Sequence, residues 1–411
     1  MNSLELFSGA GGLAKGLELS GLKHAALVEF NKHAYASLCE NFEPRNIFFG
    51  DVRDFNLEML DNIEIVAGGP PCQPFSLGGK HKGEQDNRDM FPYAIRAIEK
   101  LKPKAFIFEN VKGLLRQTFS DYFDYIILRL TYPNLITEAI FDWRQQLDEL
   151  RKVSRHSYSE ITYNVQFKLI NSANYGVPQT RERVIIVGIR SDLDCLWSFP
   201  AETHSSEKLF WDMYVTGEYW EKHKICKSNR PLIDKLIEDK AFRLSEKYGA
   251  FEPTFMAWQT VRDTIHNLPN PQSNHGISDH IFRKGARIYP GHTGSTLDLP
   301  AKTIKAGDHG VPGGENMIRF PDGKVRYLTV CEAKLLQTFP PDFVIKGVWG
   351  EAMRQIGNAV PVLLAEKIGH KLIKTLDTHT LKIPVVKSPI VPLFRQERSD
   401  LLNTLSASAS P

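Results

Sequence analysis

The chain has 411 residues, 42% of them hydrophobic and 24% charged, with a formal net charge of +3. That balance describes a globular protein with one large and one smaller domain, and so weak a positive charge permits nucleic-acid binding without arguing for it. No run of 18 or more apolar residues is present, which argues against a membrane-spanning helix. The N-terminus, MNSLELFSGAGG, lacks the basic-then-apolar layout of a secretory signal, so a cytosolic (cytoplasmic) protein is expected. The five cysteines (Cys39, Cys72, Cys195, Cys226 and Cys331) are odd in number and form no C-x-x-C pair, which argues against a disulfide framework or a structural zinc site.

In chain order, short apolar runs first alternate with helical patterns. Strands are predicted at Leu4 to Phe7, Ala25 to Phe30, Ile47 to Phe49, Ile63 to Ala67 and Ala105 to Phe108, and helices at Leu13 to Leu19, Ala34 to Cys39 and Tyr93 to Leu101. This alternation implies right-handed βαβ units and a mostly parallel sheet. Residues 121–159 read as a polar helical stretch, and Val165 to Ile170 and Val184 to Ile189 as two closing strands. From 195 to 330 the chain is richer in Pro, Gly, His and isolated aromatics, which predicts a second domain of loops and short elements. Helical patterns resume at Cys331 to Gln337 and Val362 to Leu372, and the end of the chain reads as a loosely attached tail.

LELFSGAGGLAKGL is a strand, a tight turn containing Gly9 and Gly11, then a helix. Glycines let a ligand approach the backbone, and the first N–H groups of a helix favour polar or anionic atoms. A plain structural turn accounts for this segment equally well. Glu29 lies 20 residues after Gly9 (29 − 9), at the end of the second strand, where an acid can bind ribose hydroxyls. Asp51 ends the third strand in the same way. Phe7 and Phe30 flank the site; they are either adenine-stacking faces or core side chains.

IVAGGPPCQPFS places Cys72 among three prolines, in a stiff loop at the carboxyl end of the fourth strand. In a doubly wound sheet, strands one and four are neighbours where the strand order reverses, so this loop and the glycine turn face one crevice. IFENV sets Glu109 behind an apolar strand, where a partly desolvated carboxyl can hold a proton and donate it to a ring nitrogen; Asn110 stands next to it to orient it. The bland alternative is an acid at a helix start before Lys112. QTRERV spaces Gln179, Arg181 and Arg183 by two, on one face of a strand, where paired guanidiniums can hold a carboxylate or an anion. A solvated basic strand edge would read the same.

Taken together, LELFSGAGG, VEF, GDV, GGPPCQPFS, FENV, QTRER, RYLTVCEAKLLQTFP and IGNAVP closely resemble the cytosine-C5 DNA methyltransferases of restriction-modification systems, in that family's order and across residues 3–361. The resemblance implies an α/β class I, Rossmann-like S-adenosylmethionine-dependent methyltransferase fold with a seven-stranded, mostly parallel sheet. It implies a catalytic domain at 1–194, a smaller loop-rich target-recognition domain at 195–330, a return segment at 331–375 and a tail at 376–411. Cys72 is then the nucleophile, Glu109 the carboxyl at cytosine N3, and Arg183 with Arg181 the basic support. Phe7, Gly9, Gly11, Glu29, Phe30, Asp51, Pro71 and Asn358 would surround S-adenosylmethionine, with Glu29 on the ribose and Asp51 on the adenine amino group. Gln73, Ser76, Asn110 and Gln179 would contact substrate. The expected partner is double-stranded DNA, with no metal, a monomeric state and a restriction endonuclease of the same specificity alongside.

Rival readings are a tRNA cytosine-C5 methyltransferase, a nicotinamide-dependent oxidoreductase and a DNA-binding module without activity. RERV after Gln179 favours DNA, the missing G-x-G-x-x-G opposes the second, and an intact Cys72, Glu109 and Arg183 set opposes the third. The 72 positions from Glu109 to Arg181 (181 − 109) exceed what a compact member needs, and the 121–159 stretch looks like the insertion. Residues 271–330 hold eight basic and five acidic residues, a difference of +3 (8 − 5), which places base-reading loops mainly after residue 270. Ile281, Phe282, Ile288, Tyr289, Leu297, Ile304 and Ile318 are expected to form a small core beneath them.

Overall fold

Seven strands carry the large sheet: β1 (Asn2–Leu6), β2 (Lys23–Glu29), β3 (Ile47–Phe49), β4 (Ile65–Gly68), β5 (Ala105–Val111), β6 (Tyr163–Asn171) and β7 (Glu182–Arg190). The computed structural model describes residues 1–71, 90–135, 142–153, 160–290, 292–306 and 316–380. The sheet order is β3-β2-β1-β4-β5-β7-β6. Pairing is parallel from β3 through to β5, while β7 runs antiparallel to both β5 and β6. This is the seven-stranded, mostly parallel sheet that the resemblance implies, with β1 and β4 adjacent at the switch point. The central strands β4 and β5 are buried on both faces, which is why they read as unbroken apolar stretches.

Helices α1 (Gly12–Leu19), α2 (Lys32–Asn41), α3 (Phe91–Leu101), α4 (Ser120–Thr131) and α5 (Trp143–Lys152) belong to this first part. On one sheet face, Leu4, Leu6, Val66, Phe106 and Phe108 pack with Phe91, Ile95 and Ile98 of α3 and Phe123, Ile126 and Leu130 of α4. The expected polar insertion at 121–159 is therefore corrected in its first part. Helix α4 turns one face into the core, and α5 packs against it there through the buried Leu147 and Leu150, held as well by Tyr122 against Trp143 and by Arg151 against Asp121 and Asp124.

The second part contributes β8 (His204–Ser205), α6 (Ser206–Tyr214), α7 (Glu218–Lys222), α8 (Lys235–Tyr248), β9 (Met256–Ala257), α9 (Val261–Ile265), β10 (Ser295–Thr296), β11 (Met317–Arg319) and β12 (Val325–Tyr327). It is more helical than the sequence suggested; α8 alone has 14 residues. Its core corrects the expected list. Ile304 and Ile318 are fully buried, but Ile281, Ile288 and Tyr289 are exposed, and the remaining volume is filled by Leu336, Met353 and Ile356 from later in the chain.

That later stretch forms α10 (Val330–Leu336), α11 (Trp349–Asn358) and α12 (Val362–Thr380). Leu364, Ile368 and Leu372 of α12 cover the second sheet face beside Leu13 and Leu17 of α1. The two helices approach so closely that a Cβ added at Gly16 would lie 2.4 Å from that of Ala365. The expected tail at 376–411 is corrected at its start, since α12 runs to Thr380 and buries Leu376; from residue 381 on it lies outside the described residues. Among the described residues no helix is long and apolar enough to cross a membrane.

Candidate active site

The turn after β1 is built from left-handed backbone: Phe7 (φ 59), Gly9 (φ 54) and Gly11 (φ 86). Glycine accepts this conformation freely, whereas a phenylalanine does so at a cost on the order of 1–3 kcal/mol. The turn's shape is locked by Glu29, whose Oε2 accepts from the Gly9 N–H at 2.7 Å and whose Oε1 accepts from the Asn31 N–H at 2.7 Å. Burial pushes the Glu29 carboxyl above its ordinary range, and the backbone donors at Asn31, Gly9 and Phe30 oppose that shift. A Cβ at Gly9 would meet nothing within 4 Å, so the turn opens onto free space there, whereas one at Gly11 would lie 2.6 Å from the Phe42 ring. Gly11 thus serves packing as well as the turn.

Phe30 projects into solvent at 69% exposure, while Phe7 packs partly against the core. Asp51 is clasped by Arg53 through bonds of 2.8 and 2.6 Å, which hold its carboxyl below the usual range. This arginine escaped the sequence reading, although an acid and a base two apart after a strand signal such a pair. A fixed buried acid, an open turn, an exposed aromatic and a second acid fit an adenosine-bearing group. Asn358 is exposed at the end of α11. The chain beyond it lies against the turn, since a Cβ at Gly12 would stand 2.5 Å from the Val360 carbonyl.

Beside this crevice, β4 leads through Gly69, Pro70 and Pro71 toward Cys72. Cys72, Gln73 and Ser76 lie outside the described residues, but both ends of their loop are defined. The Asn110 amide donates to the Pro70 carbonyl at 3.0 Å, and the Met90 N–H donates to the Pro71 carbonyl at 3.2 Å. Asn110 was expected to orient Glu109; its side chain is instead committed to Pro70 and, through its oxygen, to the Val111 N–H. Glu109 is 8% exposed near the end of β5, with Arg183 Nε 2.8 Å from its Oε1. That oxygen is buried and receives no aligned hydrogen bond among the described residues. A Cβ placed on Gly69 would lie 3.5 Å from Glu109 Oε2, so the carboxyl faces the root of the cysteine loop.

Gln179, Arg181 and Arg183 do not share one face, which corrects the period-two expectation. The strand starts at Glu182, and the preceding residues run irregularly along the seam with the second part, Gln179 bridging Ala301. Gln179 is fully buried: its carbonyl oxygen accepts from the Ile304 N–H, and its amide donates to Gln337. Arg181 is 1% exposed and donates to the carbonyls of Gly357 (2.8 Å) and Ile304 (3.3 Å). Burial pushes its guanidinium well below the ordinary arginine value, and nearby Arg183 pushes the same way.

The family model for C-5 cytosine-specific DNA methylase matches residues 1–132 and 144–374 of this chain. The gap, residues 133–143, separates α4 from α5, and both helices lie inside the match save Trp143. The type II methyltransferase M.NgoMIV of Neisseria gonorrhoeae is 31% identical over 378 residues, covering 91% of this chain and 97% of its own. The type II methyltransferase M.PspPI of Psychrobacter is 32% identical over 382 residues, covering 91% and 79%. Among solved structures, a DNMT2 mutant from Spodoptera frugiperda superposes with a TM-score of 0.53 at 16% identity, covering 92% of this chain and 99% of its own, which shows the fold alone. Sequence kinship therefore favours DNA over the tRNA alternative, and this chain belongs to the C-5 cytosine-specific DNA methylase family, as a DNA cytosine-C5 methyltransferase of the restriction-modification type.

Proposed function

We propose that Cys72 is the covalent nucleophile toward C6 of a cytosine swung out of duplex DNA, with Glu109 as proton donor at N3. C5 of cytosine is a poor nucleophile, and the base is out of reach inside the stack. Addition of the thiolate at C6 pushes an electron pair toward C5, and a proton from the Glu109 carboxyl to N3 makes that addition easier. After methylation a base removes the C5 proton, and Cys72 leaves with its electron pair, restoring the ring. One hard step becomes several easier ones. When bound, S-adenosylmethionine supplies the methyl group on an electrophilic sulfonium. Glu29, Phe30, Asp51 and the Gly9 turn are the residues that would hold it, with Phe7, Gly11, Pro71 and Asn358 around them.

The observation that carries this reading is the position of Glu109, buried beside Arg183 and facing the root of the Cys72 loop, next to the open turn. Arg183 contributes charge at the carboxyl. Arg181 and Gln179 act through the seam that holds the second part in place. Cys72→Ser tests the proposal: methyl transfer to DNA should vanish while S-adenosylmethionine binding survives, because an alcohol is a far weaker nucleophile at neutral pH. Substantial methylation by that variant would sink the covalent route.

Residues 195–330 serve as the recognition domain in this reading, and the exposed chain at 281–290 is its base-reading surface, with 331–375 as the return segment. Its basic residues Arg283, Lys284 and Arg287 and its apolar Ile281 and Ile288 suit phosphates and groove walls. The type II names of the relatives support pairing with a restriction endonuclease of the same specificity. We propose that the chain acts as a monomer. Exchanging 271–320 for the equivalent segment of a relative with a different target should switch the methylated sequence and leave cofactor affinity unchanged. A folded, active hybrid that still methylates the original site would move readout elsewhere, most plainly to 205–270.

A further inference from the structure

Residues 281–290 form neither helix nor strand apart from an isolated bridge at Tyr289, and all but the partly buried Phe282 and Ala286 are exposed, with Arg283 stacked 4.5 Å over the Trp349 ring. An exposed coil has many conformers, and ordering it costs conformational entropy. Base readout, in contrast, needs side chains held to within about 0.5 Å. The root of this segment is therefore decisive, and it is the opposite of mobile.

His280 is fully buried, with Nε2 2.8 Å from the Pro269 carbonyl and Nδ1 2.8 Å from Thr329 Oγ1. A carbonyl only accepts, so Nε2 carries a proton, and Nδ1 pairs with the threonine hydroxyl. That hydroxyl in turn accepts from the Glu332 N–H at 3.1 Å, and the Thr329 N–H donates to the Glu332 carboxylate at 2.9 Å, closing a capping box at the start of α10. Adjacent to it, Asp279 Oδ2 lies 2.7 Å from Lys334 Nζ, and the Asp279 carbonyl accepts from the Cys331 N–H at 3.1 Å. The Lys334 ammonium is buried and also donates to the carbonyls of Phe343 at 2.7 Å and Pro341 at 3.2 Å, so its three donors meet three oxygens.

Helix α10 is in turn tied to the catalytic part. Gln337, just beyond it, bonds Gln179 and the Ala359 carbonyl, and Asn41 of α2 exchanges two bonds of 2.8 Å with the backbone of Val344. Two consecutive residues thus fasten the start of the exposed segment to a helix that is itself fastened to the sheet's own helices.

We propose that Asp279 and His280 are positioning residues that set DNA sequence discrimination, by fixing the root of 281–290 against α10. The proposal rests on the reading of 281–290 as the DNA-facing segment. Neither residue touches the reacting atoms, so their effect falls on which DNA is accepted and how well, not on the chemical step.

The test uses the full chain. The methylated sequence is first found by bisulfite sequencing of DNA from a host expressing the enzyme. Rates are then compared on a duplex bearing that site and on duplexes with one base pair changed. His280→Leu and Asp279→Asn should lower the discrimination ratio about tenfold or more and raise KM for DNA. The kcat at saturating DNA and the affinity for S-adenosylmethionine should stay within about threefold. His280→Gln, which can restore a donor toward Pro269, should regain most of the discrimination. Folded variants with unchanged discrimination, or with kcat and cofactor affinity falling as KM rises, would overturn the proposal. If His280→Leu does not fold, Asp279→Asn, which keeps the shape and removes the charge, decides it. Arg287→Ala separates the two layers: if it too changes neither discrimination nor KM, the DNA-facing reading of 281–290 falls, whereas an effect of Arg287→Ala with none from the root variants removes the anchoring alone.

Discussion

Arg183 Nε stands 2.8 Å from Glu109 Oε1, reaching diagonally across the antiparallel pair in which Val111 opposes Arg183 and Glu109 opposes Ile185. One guanidinium touches one carboxyl oxygen, and the other oxygen faces Gly69 and the root of the cysteine loop. The geometry holds the carboxyl in place with its second oxygen turned toward the cysteine loop.

Glu109→Gln keeps the shape of this arrangement and removes the transferable proton. The rate of the chemical step, read in a single-turnover methyl-transfer assay, should fall roughly 10²-fold or more, the scale of general acid assistance. DNA affinity should change little. A variant that altered only affinity would remove the N3 role.

Arg181→Met should destabilise the protein. It strips hydrogen bonds from the buried carbonyls of Gly357 and Ile304, each left at a cost of about 1–3 kcal/mol, and relief from burying a cation returns part of it. A net loss of about 1–3 kcal/mol is expected, seen as a lower denaturant midpoint. DNA binding should weaken with it, since the seam links β7, residues 301–304 and the end of α11. An unchanged midpoint would show that the seam is held by apolar packing alone.

Gly16→Ala sets two effects of opposite sign against each other. Alanine favours a helix interior by about 1 kcal/mol over glycine. Its Cβ, however, would stand 2.4 Å from both the Val362 carbonyl and the Ala365 Cβ, and the first of these is backbone that cannot swing aside. Overpacking costs about 1–3 kcal/mol and here should win. The melting temperature should drop, whereas propensity alone would raise it.

Acid should weaken the fold through partly buried histidines. His24 donates from Nε2 to the Ala14 carbonyl at 2.9 Å, and burial holds its pKa below the ordinary 6.5. Burial lowers His204 and His223 likewise. The unfolded chain then binds protons that the folded chain refuses, so this stability is whole above pH 6.5 and is lost as the pH falls below it. Urea midpoints should decline between about pH 7 and pH 5, and His24→Gln should flatten that decline. An equally steep decline in the variant would assign the effect to other groups.

Much of this protein was legible before any coordinates. The strands from β1 to β5 and the helices between them follow from apolar periodicity, which is a local property of the chain. The glycine turn, Glu29 at the end of β2 and Glu109 on its apolar strand were legible for the same reason, whereas the proline-braced Cys72 lies outside the described residues. What only the tertiary structure decided lies wherever two distant segments compete for one side chain. Period-two spacing put Gln179 and Arg181 beside Arg183, but the strand begins at Glu182, and the seam with residues 301–304 and 357 captures both. Arg53 claims Asp51, and Asn110 is drawn to Pro70 instead of Glu109. Ile281, Ile288 and Tyr289 read as core, yet they stand in solvent, because Leu336, Met353 and Ile356 arrive from later in the chain to fill that volume first. Burial and hydrogen-bond satisfaction are settled by whichever partner the whole fold brings closest, and no local pattern contains that information.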